Sequence, residues 1–310
     1  MTPAQGWGAR IVGLCRLGLL GGVLLVLAAC QRTDPDVQLP AYGERPAPGS
    51  KLLWTLAVHP LHNPVTLHER YGPLLEWANA RLADVELRLE ASSDYAHFEA
   101  KLRMRQPELA LPNPYQTVRA LPWGYHVVGK VSGDEDFHGL VLRRRGWQLP
   151  PPGSVIRISC PALTALAGCM LPRWQLHRDG LDRTHRLKIE VVGSQESSIL
   201  NVAHGLVDLA LTWPPPWRLF QQREPKLAAT LEVDRRTPAL VNNALVARDD
   251  LDPQRVAQVV QALVDLARDP EGQRRLAQAG LQGFERANDA RYEPVRVFLR
   301  EYERVFGSLP

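Results

Sequence analysis

The run Leu52–Val58 is almost uniformly apolar, and beyond it Tyr71, Leu74, Leu75, Ala78 and Leu82 recur at the three-to-four-residue interval of one helix face. This pattern predicts a strand followed by a helix. Val85, Leu87 and Leu89 then alternate with Glu86 and Arg88, the period of a half-buried strand. Ser93 is placed to cap a helix in which Tyr95, Phe98 and Leu102 share a face. A third apolar run, Leu109–Leu111, is stopped by Pro112-Asn113-Pro114, whose prolines put Asn113 and Tyr115 on a loop or at a helix start. Alternating strands and helices of this kind predict an α/β fold with parallel strands and helices on the sheet faces.

Strand-like runs follow at Tyr125–Val131 and at residues 140–142, and Pro150-Pro151-Pro152 then breaks the pattern. A second βα series begins at residues 155–159, continues into a helix over 163–177, and repeats as a strand at 189–192, a helix at 197–205 and a strand at 206–211. Residues 240–246 read as one more strand. In the helices after it, Asp252-Pro253 and Asp269-Pro270 each pair a capping residue with proline at the first helical position, and Gly280 stands where a C-terminal cap belongs. The predicted division is therefore two α/β lobes, each a mostly parallel sheet flanked by helices. Residues 51–145 with 240–310 form one, and 146–239 form the other. The crossings between them are expected near 142–146 and 237–243.

The N-terminus adds a compartment. Residues 1–29 hold no acidic residue, carry Arg10 and Arg16, and end in an apolar run over 17–29, the layout of a secretory signal peptide. The run is short for a span, which needs on the order of 20 apolar residues. Its exit, Leu27-Ala28-Ala29-Cys30, resembles a bacterial lipobox. The resemblance implies acylation of Cys30 and a protein held by lipid on the periplasmic face of a bacterial membrane. Residues 30–50, with Pro35, Pro40, Pro46 and Pro48 and no apolar period, read as a flexible tether.

Charge and cysteine content exclude several classes. Lysine plus arginine number 37 against 33 acidic residues, spread without a basic stripe, so a nucleic-acid partner is not expected. The cysteines are Cys15, Cys30, Cys160 and Cys169, with no Cys-x-x-Cys pair for structural zinc or thioredoxin-like chemistry. Cys160 and Cys169 leave three readings open: a disulfide, two buried thiols, or a thiolate site for a soft metal. If Cys169 lies two turns up a helix, its Cα stands beyond the roughly 7 Å that a bridge tolerates. Neither a G-x-S-x-G elbow, a phosphate loop, a G-x-G-x-x-G turn nor H-E-x-x-H is present. No enzyme and no cofactor is therefore predicted.

What remains is a binding cleft, since open α/β sheets take ligands beyond the carboxyl ends of their strands. The residues so placed are His59, Asn113, Tyr115, Thr164, residues 193–196, and Thr212 with Trp213. His59, His62 and His68 are spaced as possible metal ligands, but Pro60 and Pro64 break that spacing, and a metal site is not predicted. In Trp213-Pro214-Pro215-Pro216-Trp217 the prolines are expected to hold two indoles on a loop, as an aromatic cleft wall or as a packed hinge element.

Several pieces, in this order and spacing, carry a resemblance. They are Ala57-Val58-His59-Pro60, Tyr71-Gly72-Pro73-Leu74-Leu75, Ser93-Asp94-Tyr95-Ala96, Pro112-Asn113-Pro114-Tyr115, the segment 161–172, Gly193-Ser194-Gln195-Glu196, Val207-Asp208-Leu209-Ala210 and Tyr292-Glu293-Pro294-Val295. Together they resemble the phosphonate, phosphite and phosphate-type substrate-binding proteins of ABC transporters, of the type II periplasmic-binding-protein fold. The resemblance implies capture of a small anionic or zwitterionic ligand by lobe closure, with an ABC transporter permease or a membrane sensor as partner. It implies a ligand site at Tyr95, Asn113, Tyr115, Thr164, Gln195, Glu196 and Trp213. Where the family has Ser-Thr-Ser-Gly at a helix start, this chain has Ala165-Leu166-Ala167-Gly168. That departure implies weakened phosphonate binding, or an accessory or sensing lipoprotein with a degenerate site that works through a protein partner or binds a metal or metalloid. Gln195 replaces a family histidine, while Glu196 keeps a carboxylate suited to a ligand amine.

Overall fold

A computed structural model describes residues 51–309, so the predicted signal peptide, Cys30 and the predicted tether lie outside the described residues. The chain first runs β1 (Leu52–Val58), α1 (Pro64–Asn79), β2 (Val85–Glu90), α2 (Tyr95–Arg103), β3 (Leu109–Leu111), α3 (Pro114–Ala120) and β4 (Tyr125–Val131). It crosses for β5 (Leu140–Arg144), β6 (Val155–Cys160), α4 (Leu171–Arg178), α5 (Leu181–Thr184), β7 (Arg186–Val191), α6 (Gln195–Ala203), β8 (Leu209–Thr212), α7 (Pro214–Arg223), α8 (Pro225–Ala228) and β9 (Leu231–Arg236). It returns for β10 (Ala244–Arg248), α9 (Pro253–Asp265), α10 (Pro270–Ala279), β11 (Phe284–Glu285) and α11 (Glu293–Phe306). None of the described helices is long and apolar enough to cross a membrane.

Two sheets result, ordered β11-β4-β10-β3-β1-β2 and β7-β6-β8-β5-β9. In each, three strands are parallel, β2-β1-β3 and β7-β6-β8, as βα units require. Each crossing leads straight into a strand of opposite sense: β10 is antiparallel to β3, and β5 is antiparallel to β8. The apolar pattern follows position. Central β3 is wholly buried, whereas edge strand β2 alternates buried and exposed residues along its first half.

One boundary differs from the sequence reading, which kept residues 140–145 in the first lobe. Leu140–Arg144 pairs with β8 and β9 of the second sheet, with Leu142 opposite both Ala210 and Val233. The first crossing is therefore 132–139, ahead of β5, and the return is 237–243. The two crossing segments are joined to each other. Val131 donates its amide to Asn243 O at 2.9 Å, Thr237 to Gly139 O at 3.0 Å, and Leu240 to Phe137 O at 3.0 Å.

Helix starts follow their side-chain acceptors. Asp94, rather than Ser93, caps α2, accepting from the His97 amide. Ser194 caps α6, which begins at Gln195 rather than near 197. Asp252 and Asp269 cap α9 and α10 ahead of prolines, and Gly280 closes α10 with φ 72°, a left-handed conformation that glycine adopts without penalty. The prolines after Trp213 form the first turn of α7 instead of a loop, since proline's fixed φ suits that position.

Apolar packing continues across the lobes. Leu166, Ala167, Met170 and Trp213 of the second lobe share one buried cluster with Ala57, Tyr115, Val241 and Tyr302. Tyr95 enters the second lobe's core beside Val141, Cys160 and Cys169. Helix α11 adds a clamp: Arg173 of α4 donates to the Tyr302 hydroxyl at 3.1 Å and lies 3.9 Å over the Phe306 ring.

Candidate functional site in the interlobe cavity

The second lobe presents a helix start to the first. After β6 the backbone is extended at Ala165 (φ −76°, ψ 97°), then winds one wide π-type turn, Leu166–Met170, that runs directly into α4. The first helical bonds come from the Cys169 and Met170 amides, both onto Ala165 O. The amides of Leu166, Ala167 and Gly168 precede them and have no partner inside the helix. Such groups, with the helix dipole behind them, form a site for negative charge.

The helix begins three residues later than the sequence suggests, which settles the cysteines. Cys169 falls in the first turn instead of two turns up, its Cα is 5.5 Å from that of Cys160, and the two form a disulfide. Both are fully buried. The bridge ties the end of β6 to the turn that offers the amides.

Against this turn lies a narrow cleft of about 10 Å³, room for about one water molecule, walled by Ala165–Gly168 from the second lobe and by His59, Asn113 and Asn243 from the first. Tyr95, Gln195, Trp213 and Phe137 complete it. Gln195 is buried and doubly held: Thr212 Oγ1 donates to its Oε1 at 2.9 Å, and its Nε2 donates to the Tyr95 hydroxyl at 3.4 Å. Burial pushes the Tyr95 phenol up to about 12, so it stays protonated. Trp213 meets Phe137 edge to face at 5.3 Å. His59 places Nδ1 2.9 Å from Leu111 O, and burial lowers its pKa from 6.5 to about 4, so it is neutral.

Asn113 serves two purposes. Its Oδ1 accepts from the Tyr115 and Gln116 amides and starts α3, while its Nδ2 donates across the lobes to Thr164 O at 3.2 Å. A second crossing bond joins the Thr164 hydroxyl to Glu99 of α2, whose carboxylate also accepts from Gln116 Nε2 at 3.2 Å. Burial raises the Glu99 pKa, and the Thr164 and Gln116 bonds oppose that rise.

Tyr95, Asn113, Gln195 and Trp213 thus converge on the cavity. The other three predicted residues do not line it. Thr164 flanks it as an interlobe bonding partner. Tyr115 lies in the apolar core under α3. Glu196, one position past Gln195, is turned by the helix to an exposed place at a second hollow of about 30 Å³, lined also by His62, Gln195 and Arg223. Trp217 is buried with Phe220 in the second lobe's core and forms no cleft wall. His68 is exposed, and among the described residues no group of three or more His, Cys, Asp or Glu is placed to hold a metal ion.

His59 is among the residues that follow a strand, so strand-end logic finds it. Phe137 and Asn243 escape that logic because they sit on the two crossing segments. The available signal is that a crossing between lobes must pass the mouth of any interlobe site.

Two α/β lobes joined by two crossings, with a helix start at the cleft between them, are the architecture of the periplasmic solute-binding proteins. The comparisons give the family. The model of the ABC transporter phosphonate periplasmic substrate-binding protein family matches residues 56–292, and the chain belongs to this family. Its members are substrate-binding components of transport systems rather than enzymes. No curated protein matches the chain. Solved structures share the fold. A binding-protein component of an ABC phosphonate transporter from Pseudomonas aeruginosa superposes with TM-score 0.73 at 15% identity, covering 82% of this chain and 88% of that one. PhnD1 from Prochlorococcus marinus, in complex with methylphosphonate, gives 0.72 at 18% identity, covering 81% and 98%. A Xanthomonas citri protein bound to chloride ion gives 0.65 at 18% identity, covering 82% and 98%.

Proposed function

We propose that this protein is an exported, lipid-anchored solute-binding protein that holds a small phosphonate-like or related oxyanion in the interlobe cleft, which must open beyond the one-water space seen here to admit it, and presents it to an ABC transporter permease or a membrane sensor. The observation that carries this reading is that Leu166, Ala167 and Gly168, whose amides precede the first helical hydrogen bond, line the cleft. Tyr95, Gln195 and Asn113 are the proposed polar side-chain contacts, and Trp213 is the apolar wall. With alanine and leucine in place of hydroxyl residues, binding rests on backbone donors. Each missing hydrogen bond to a charged partner is worth about 1.5–3 kcal/mol. Affinity for phosphonates is accordingly weaker than in members that keep the hydroxyls.

Gly168 supplies the test. A Cβ there would collide with the Gln195 amide. In a thermal-shift assay, methylphosphonate and phosphite are expected to raise the melting temperature of the native protein. Gly168→Val should abolish the shift by driving Gln195 off Thr212 and Tyr95. A variant that keeps the full shift would remove the cavity from the function.

The alternative, an accessory or sensing lipoprotein with a degenerate site, is favoured by one observation, the narrowness of the cleft between Leu166, Ala167 and Trp213, about 10 Å³. It requires that no oxyanion shifts the melting temperature. Lipidation has its own test. Cys30→Ser should release the protein from membranes, and mass spectrometry of the native chain should find an acylated residue 30; an unmodified Met1 contradicts the anchor.

A further inference from the structure

We propose that the two lobes part along the seam between α1 and α7, where Arg218 and Arg223 form a salt-sensitive clasp, and stay joined along the seam between α4 and α11. The proposal rests on the solute-binding reading, which requires the cleft to open, and it names the edge that opens.

The two seams lie on opposite faces of the sheets. Successive residues of a strand point to opposite faces, and the two cores divide accordingly. Along β1, Leu56 and Val58 share a cluster with Leu74 of α1, whereas Ala57 between them belongs with Leu299 of α11. Along β5, Leu140 and Leu142 pack with Phe220 of α7, whereas Val141 packs with Leu176 of α4. Helices α1 and α7 therefore meet on one side of the molecule, and α4 and α11 on the other.

The α1–α7 seam is held by charge. Arg223 Nη1 donates to Thr66 Oγ1 at 3.2 Å, and its Nη2 stands 3.7 Å from Glu69. Arg218 grips Asp136 of the first crossing through two bonds, at 3.3 and 3.1 Å, and Asp136 also accepts from Gln282 Nε2 of the first lobe at 3.0 Å. The two arginine side chains are 43% and 47% exposed, and exposed pairs of this kind are weak and screened by salt. The α4–α11 seam is aromatic. Trp174 meets Phe298 edge to face at 6.1 Å, His177 meets Phe306 at 5.5 Å, and Tyr302 is fully buried beside them. Parting the first seam exchanges ion pairs for water, whereas parting the second exposes ring surface. The first therefore opens before the second.

Distances between spin labels decide this. Labels at Val65→Cys of α1 and Gln222→Cys of α7 report the first seam, and labels at Arg178→Cys of α4 and Val305→Cys of α11 report the second; all four positions are exposed. Cys15→Ser and Cys30→Ser leave only the introduced cysteines free, since Cys160 and Cys169 are bridged. Pulsed electron paramagnetic resonance should find two distances across α1–α7, with the longer gaining weight in 1 M salt, where the screening length falls to about 3 Å. Arg218→Ala with Arg223→Ala should raise the ratio of long to short by about fivefold. The α4–α11 pair should keep one distance throughout. A single unchanged α1–α7 distance in the double variant at 1 M salt, or a second distance across α4–α11, overturns the proposal. The thermal shift with methylphosphonate is read on the native chain without labels, so failure of the clasp and failure of the solute-binding reading are seen separately.

Discussion

Replacing both Cys160 and Cys169 by alanine will lower the unfolding free energy by about 3 kcal/mol and weaken oxyanion binding along with it. The bridge closes a short loop, nine residues in separation, and loop-closure entropy for a crosslink of that size is worth about 2.5–3 kcal/mol. Its place gives it a second effect. Cys160 ends β6, and Cys169 sits in the turn whose leading residues line the cleft, so the bridge fixes that turn against the sheet. Urea unfolding under oxidising conditions gives the first quantity, and titration with methylphosphonate gives the second. A double variant with native stability would show that the apolar contacts of the turn, Leu166 and Met170 with Val241 and Tyr302, hold it unaided.

Acid will cost the protein about 3 kcal/mol through His59 alone. The folded chain holds this imidazole neutral, with its pKa lowered from 6.5 to about 4 by burial, whereas the unfolded chain takes up a proton near 6.5. Stability is therefore complete above about pH 6.5, falls as the pH drops towards 4, and levels off below it, since 2.5 pKa units correspond to about 3 kcal/mol. His62, lowered to about 3 by burial and by Arg70, His59 and Arg223, acts in the same direction. His59→Gln, which cannot titrate, should remove about half of the slope that the two histidines give between about pH 6.5 and 4 in equilibrium unfolding. A variant that retains the whole slope would mean that His59 is solvated in the folded protein.

The order of strands and helices is legible in the sequence because each element carries its own period and many carry a terminal signal. Leu52–Val58 and the Tyr71, Leu74, Leu75, Ala78 face need nothing from the rest of the chain to be read, and Asp252-Pro253 and Asp269-Pro270 mark their helix starts locally. Sheet membership is different, because it is decided by pairing. Residues 140–142 are apolar in either sheet, and the triple proline at 150–152 is a stronger punctuation mark than Gly133 and Gly139, which bracket the real crossing. The late start of the helix after β6 is hidden for a related reason. Thr164-Ala165-Leu166 shows no break, and the wide turn that brings Cys169 under Cys160 has no sequence signature.

The site divides in the same way. Gln195 and Glu196 are adjacent in the chain, yet a helix turns successive residues by about 100°. One therefore enters the cavity and the other leaves it. Tyr115 and Thr164 stand one or two residues from lining positions and are used for packing and for the Glu99 bond. Asn243 is invisible beforehand because an unpaired Oδ1 is a fact about neighbours, not about asparagine.

The most direct test of the interlobe site is a crystal structure of the protein grown with methylphosphonate. Oxygen density within hydrogen-bonding reach of the Leu166, Ala167 and Gly168 amides, between Tyr95 and Asn243, is the expected result. An empty cavity with the Thr212, Gln195 and Tyr95 chain undisturbed, at ligand concentrations that saturate binding in solution, would contradict it.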